Sequence, residues 1–242
     1  MVGTVLWRKQ VNMPKYFVGE KLHLNKETEH HLKRVLRVKI GESIILCDGK
    51  NYDYHMIVTN SNPLELKLER KIECTTELKS KIILYQALPK SDKLEWVTQK
   101  AVELGVYKII PIITEHCDVR PNLNKIARYQ KIAEAAAGQS MRGIIPKIDT
   151  PITLNEAVQN SKQSTAMFVA HEKATINFNN YLKDINLKSE IGVWIGPEGG
   201  FSQNEINTME QSDFKIVSLG SRILRTETAA IATIAILQAV IE

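Results

Sequence analysis

At 242 residues, 43% apolar and 24% charged, the chain can form one large domain or two modest ones, and its composition is that of a soluble globular protein rather than a fibrous or disordered one. Lysine and arginine exceed aspartate and glutamate by 32 − 27 = 5, an excess that suits a polyanionic partner without establishing one. Cys47, Cys74 and Cys117 are an odd number at wide spacing with no Cys-x-x-Cys, which argues against a disulfide framework or a zinc site and for a reducing cytoplasm. No His-x-x-x-His pair occurs among the six histidines, so no metal is expected. Residues 1–6 are too short for a signal-peptide core and are broken by Trp7-Arg8-Lys9-Gln10. The longest apolar run, 229–241, is too short to span a bilayer, so it predicts a buried helix and no membrane partner.

In chain order, Lys15-Tyr16-Phe17-Val18 predicts a short strand. Asn25 is placed to cap a helix with an apolar stripe of Leu32, Val35 and Leu36, and Arg34 and Arg37 lie off that stripe. Segments 43–47 and 52–59 flank Asp48-Gly49-Lys50-Asn51, a hairpin signal. Leu64, Leu66 and Leu68 alternate with charged residues, as a half-buried strand requires. A small β-rich unit is therefore expected over 1–73, with 73–77 as the linker.

From Lys81 onward strands alternate with helices, which predicts a mainly parallel sheet over 74–242. Strands are expected at 82–85, 108–113, 165–170, 191–195 and 214–219. One helix is expected from a Ser91 cap through Leu94, Val97, Ala101 and Leu104 to a stop at Gly105, and another over 123–140. Polar residues gather at the strand ends: Lys90, Glu115, His116, Arg120, His171 and Glu172.

Two glycine-bearing loops then follow strands and lead into helices. The first is Ile195-Gly196-Pro197-Glu198-Gly199-Gly200-Phe201-Ser202, with Ser202 and Glu205 spaced for a capping box. The second is Leu219-Gly220-Ser221-Arg222-Ile223-Leu224-Arg225, before a helix starting near Thr226. Open α/β sheets place ligands at the carboxyl ends of strands, and glycine lets a ligand approach the backbone closely. Gly-Pro and Gly-Gly also mark ordinary turns. Neither Gly-x-Gly-x-x-Gly nor a Walker-type Gly-Lys-Ser/Thr occurs, which disfavours dinucleotide and nucleoside-triphosphate sites.

Taken together these stretches resemble a known family. They are His31-Leu32-Lys33-Arg34-Val35-Leu36-Arg37, Ala87-Leu88-Pro89-Lys90, residues 99–106, Gln130-Lys131-Ile132-Ala133, Gln139-Ser140-x-Arg142 and the two glycine loops, the second running on through Ala229. The resemblance is to the bacterial 16S ribosomal RNA (uracil-N3)-methyltransferases of the RsmE type, in the SPOUT superfamily, and it covers nearly the whole chain in order. Three features depart from the family pattern. Residues 1–12 look like an extension or the product of an upstream start, His116 stands where an arginine is common, and Met141 interrupts a usual Ser-Gly-Arg run.

The resemblance implies an α/β fold with a PUA-like β-barrel over 1–73 and a SPOUT domain, threaded into a trefoil knot, over 74–242. It implies a cytoplasmic homodimer, formed through the SPOUT domain, that uses S-adenosyl-L-methionine to methylate 16S rRNA in the small ribosomal subunit at the family's uridine 1498. Ile195, Gly196, Pro197, Glu198 and Gly199 would form one wall of the cofactor site, and Leu219, Gly220, Ile223, Leu224 and Arg225 the other. Arg225 would stabilise the charge developing on the uracil oxygens, and Glu198 would face the sulfonium or serve only structurally. Arg34, Arg37, Lys90, Arg120 and Arg142 would contact RNA. No general base stands out. Two other readings stay open: a SPOUT enzyme acting on another RNA or a ribose 2′-oxygen, and a non-catalytic RNA-binding protein.

Overall fold

The computed structural model describes residues 15–19, 22–161, 166–183 and 190–242. The extension expected at 1–12 lies outside the described residues, as does Thr165, the expected first residue of one strand. The chain divides into two compact units, Met1–Glu77 with Ala137–Ile145, and Leu78–Ala136 with Pro146–Glu242.

In the first unit, β1 (Lys15–Phe17), β2 (Ser43–Cys47), β3 (Tyr52–Ser61) and β4 (Leu64–Glu73) form one sheet in chain order. β1 is parallel to β2, and the other pairings are antiparallel. The β2–β3 turn uses Gly49 and Asn51 at φ of 76° and 72°, and Asp48 Oδ1 accepts the Lys50 and Tyr52 N–H groups. Asn25 caps α1 (Lys26–His30) as expected, its Oδ1 accepting the Thr28 N–H at 2.7 Å.

The expected stripe on this helix is corrected. Leu32 is fully buried, but Val35 and Leu36 are 61% and 43% exposed. The helix continues over His31–Val35 as a wider π-type turn closed by Leu36 N–H to His31 O, which adds a residue per turn and rotates the later side chains off the core face. Val38 packs with Leu32, Ile44, Leu46, Met56 and Val58 instead.

Arg142, expected to contact RNA, is also corrected. It is 2% exposed, and its Nε and Nη2 donate to the two carboxylate oxygens of Glu77 at 3.2 and 2.5 Å. Glu77 Oε1 accepts the Gly143 N–H as well, so this carboxylate organises the turn after Met141. Met141 has a φ of 60°, which explains why glycine is the usual residue there. A guanidinium buried against a carboxylate is not presented to a phosphate. Replacing Arg142 by Met should leave Glu77 without its counter-charge and lower stability by about 3 kcal/mol. Urea unfolding tests this, and an unshifted midpoint would refute the structural role.

In the second unit the strands β5 (Lys81–Ala87), β6 (Lys108–Ile113), β7 (Lys147–Ile148), β8 (Ile152–Thr153), β9 (Ala166–Ala170), β10 (Glu190–Ile195) and β11 (Lys215–Val217) form a sheet in the order β11-β9-β10-β5-β6-β7, with β8 also paired to β6. Every pairing is parallel, as expected. Such strands are covered on both faces, hence their nearly continuous apolar sequences. Trp194, fully buried, stacks on Tyr85 with ring centroids 4.0 Å apart, and Gly192 leaves room for the Met167 sulfur beside it.

The helices of this unit are α2 (Lys93–Glu103), α3 (Ile126–Gln139, entered through a 3-10 turn at Leu123–Lys125 and with its last three residues counted in the first unit), α4 (Leu154–Asn160), α5 (Asn179–Leu182), α6 (Gln203–Gln211) and α7 (Thr226–Ile241). Ser91 does not cap α2. It sits at φ 58°, and Asp92 occupies the cap position without a side-chain hydrogen bond. The other end of α2 is as expected: Gly105 at φ 89° closes a Schellman motif, with Gly105 N–H to Val102 O and Val106 N–H to Ala101 O. Among the described residues no helix is long and apolar enough to cross a membrane.

β10 lies between β9 and β5. The chain leaves β5 toward β6 and leaves β10 toward β11, in opposite directions along the sheet. The crevice at such a switch point is where open α/β sheets bind ligands.

Candidate active site

The loops following β9, β10 and β11 surround one cavity of about 510 Å³, a size usual for small-molecule sites. Ile195, Gly196, Pro197, Glu198 and Gly199 line one side. Leu219, Gly220, Ile223, Leu224 and Arg225 line the other. All ten residues singled out in these loops are therefore brought to one place.

The glycines differ in what they allow. Gly200 and Gly220 lie at φ of 69° and 119°, where other residues are strained, whereas Gly196 is needed for space. A Cβ on Gly196 would stand 3.2–3.3 Å from the backbone of Gly200 and the ring of Phe201. The first loop turns tightly, with Gly200 N–H to Pro197 O at 3.0 Å, and ends in the expected capping box. Ser202 Oγ accepts the Glu205 N–H while Glu205 Oε2 accepts the Ser202 N–H, and Glu205 Oε1 also accepts the Glu115 N–H from the loop after β6. His116, from that same loop, has Nδ1 3.0 Å from Gly199 O and 3.1 Å from Gly200 O.

One hydroxyl joins the two glycine loops. Thr226 Oγ1, at the start of α7, donates to Gly196 O at 2.6 Å and accepts from Gln86 Nε2 at 3.0 Å. Gln86 is fully buried at the end of β5.

Glu198 accepts from Lys93 Nζ at 2.7 Å and from the Lys90 N–H at 3.2 Å. Burial alone would push this carboxyl up. The hydrogen bonds from Lys93 and from the backbone N–H groups of Glu198 and Lys90, with the Lys93 charge, outweigh it, and the net shift is downward. Glu198 thus borders the cavity while its carboxylate is engaged by Lys93. Lys93 also lies 3.5 Å from Glu227.

Among the RNA-contact candidates, Arg120 is exposed, and Lys90 is exposed while pairing with Asp118 at 2.6 Å. Both follow carboxyl ends of strands in the second unit. Arg34 and Arg37 are exposed in the first unit.

Sequence reading missed Lys93, Ser218 and Thr226 as lining residues. Lys93 was hidden by its place in a helix, and Thr226 reads only as a helix start. His171 and Glu172 line the cavity too, and strand-end position had already marked them. Replacing Thr226 by Val should leave the Gly196 carbonyl without this donor and remove one of the two acceptors of Gln86 Nε2, destabilising the fold by about 2 kcal/mol, whereas Ser should come close to wild type. Thermal unfolding checks this, and equal midpoints for Val and wild type would remove the clamp.

Residues 76–238 match the model of an RNA methyltransferase domain, and residues 24–69 match that of an RNA methyltransferase PUA domain. Ribosomal RNA small subunit methyltransferase E of Mesomycoplasma hyopneumoniae is 35% identical over 227 residues, covering 90% of this chain and 96% of that protein. The protein of the same name from Bacillus subtilis is 30% identical over 220 residues, 84% of each chain. The crystal structure of ribosomal RNA small subunit methyltransferase E from Neisseria gonorrhoeae, bound to S-adenosyl methionine, superposes with a TM-score of 0.84 at 32% identity, covering 94% of this chain and 98% of that one. With a domain model matched over most of its length and relatives this similar along nearly all of it, the chain belongs to the ribosomal RNA small subunit methyltransferase E family.

Proposed function

We propose that this protein methylates N3 of a uridine in 16S rRNA, the family's uridine 1498, with S-adenosyl-L-methionine as methyl donor. The observation that carries this reading is the convergence of both glycine loops on one cavity at the sheet's switch point.

The residues present fit the cofactor. Ile195, Leu219, Ile223 and Leu224 offer apolar surface for an adenine face, and the backbone of the glycine loops offers donors and acceptors for its edge. No heavy atom lies within 4 Å of where a Gly220 Cβ would stand, so that stretch of backbone is open to a ligand. Once bound, the cofactor supplies an electrophilic methyl group on a positive sulfonium, which suits a wall carrying Glu172 and Glu198. Arg225 lines the cavity, is exposed and stands at the N-terminus of α7. In this reading its guanidinium holds the negative charge that develops on the uracil oxygens as N3 loses its proton. N3 lies on the pairing edge, so the base must be unpaired to enter.

In this reading residues 1–73 form the RNA-holding PUA-like barrel and 74–242 the trefoil-knotted transferase. Arg34, Arg37, Lys90 and Arg120 contact RNA, and two copies pair in the cytoplasm through α7. That helix is apolar around much of its circumference, with Ile231 and Ile236 half-buried and Val240 37% exposed.

The deciding experiment is methyl transfer to unmodified small ribosomal subunits followed by nucleotide-level mass spectrometry. N3-methyluridine at the family position is expected; methyl on another nucleotide or on a ribose oxygen would overturn the assignment. Arg225→Ala should lower kcat about 100-fold, and a wild-type rate would remove its role. Gly220→Val strains a left-handed backbone and should weaken cofactor binding about tenfold by calorimetry; unchanged affinity would move the cofactor elsewhere.

A further inference from the structure

The mechanism above lacks a proton acceptor, and the cavity wall contains an imidazole for which the reaction has found no use. His171 is the first residue past β9. Its backbone is pinned on both sides, the N–H donating to Val217 O at 3.0 Å and the carbonyl accepting the Ala174 N–H at 3.1 Å. Its side chain is 9% exposed and lines the cavity. Nδ1 is buried and makes no hydrogen bond among the described residues, lying 3.2 Å from Glu172 Oε2 but off the line a bond requires. Glu172 is itself 43% exposed, so a small rotation of its carboxylate completes that contact. A histidine kept only for packing has its ring nitrogens satisfied when buried. Here the polar atom 3.2 Å from Nδ1 is a carboxylate oxygen.

The geometry points to His171 as the proton acceptor for the substrate base, with Glu172 as the positioning residue that holds its tautomer. This inference rests on the methyltransferase reading above and deepens it. Glu172 holds the proton on Nδ1, which leaves the Nε2 lone pair as the basic site. It also stabilises the imidazolium once formed, the arrangement by which a carboxylate orients a general base. The uracil N3–H proton passes to Nε2. The electron pair this frees on N3 forms the new N–C bond as the methyl group leaves the sulfur, and the electrons of the broken C–S bond remain there as a neutral thioether. The imidazolium returns its proton to solvent after product leaves. Glu172 also borders the first glycine loop, its carboxylate oxygens 3.6–3.7 Å from where a Gly200 Cβ would stand. The residue that orients the base thus adjoins the loop that holds the methyl donor.

The test uses the full-length protein, S-adenosylmethionine and unmethylated small subunits. Failure of the wild type to bind S-adenosylmethionine or to methylate would overturn the reading on which this one rests. With an active wild type, His171→Asn and His171→Gln should each lower single-turnover methyl transfer about 100-fold. Their cofactor dissociation constant by calorimetry and their melting temperature should stay within experimental error of wild type. His171→Gly should regain part of its rate with added imidazole. Glu172→Gln should lose single-turnover rate at saturating cofactor and shift the nitrogen-15 signals of His171 away from the Nδ1–H tautomer, and Glu172→Asp should restore both. Wild-type rates in the His171 variants would overturn the proposal, as would a loss confined to cofactor affinity or melting temperature.

Discussion

The second unit depends on one hydroxyl group placed between three parts of the chain that are distant in sequence. Thr226 Oγ1 gives its proton to Gly196 O and takes the Gln86 Nε2–H in return, joining the end of β5, the loop after β10 and the first turn of α7. Each partner would be costly to leave alone, because a buried amide or carbonyl without a hydrogen bond forfeits its hydration with no compensation. Gln86 Nε2 also donates to the Ala87 carbonyl, so both hydrogen bonds of this amide are made from its nitrogen. The cavity exists because the two glycine loops are kept at a fixed spacing, and this hydroxyl sets that spacing at its inner end. Farther out Lys93 repeats the arrangement with charges, lying 2.7 Å from Glu198 and 3.5 Å from Glu227.

Local chemistry was legible in the sequence wherever its cause was local. The Ser202–Glu205 capping box, the Asn25 cap, the turn at 48–51 and the stop at Gly105 each depend on residues a few positions apart, and each is found where it was expected. The two glycine loops were legible as a pair, and their cavity contains every residue singled out in them. What escaped depends on tertiary context. The π-type turn at His31–Val35 has no spacing signature, so Val35 and Leu36 were assigned to a core they do not enter. Arg142 looks like any surface arginine until Glu77, 65 residues earlier, is found beside it. The short strands β7 and β8 carry too few residues to show any alternation.

Sheet order explains why so many loops can serve one site. β10 enters between β9 and β5, so strands far apart in sequence are neighbours in space. Their carboxyl ends point the same way because every pairing is parallel. The loops after β9, β10 and β11 consequently line a common wall, and the loops after β5 and β6 reach the same edge through Lys90 and His116. No such convergence is available to an antiparallel sheet, in which successive loops alternate between edges.

Charge on this edge is mixed. Glu172, Glu198 and Glu227 lie at or beside the cavity and Lys93 is bound between the last two, so the carboxylates are only partly matched by that amine. Arg222 and Arg225 also line the cavity and are exposed to solvent. A cationic group entering the cavity therefore meets unmatched carboxylates, and an anionic group meets two guanidinium groups. Both attractions act beside apolar side chains such as Ile195 and Leu219, where charges interact more strongly than in bulk water. The same cavity can thus attract groups of either sign because its charges are carried on different side chains and are not all paired with one another.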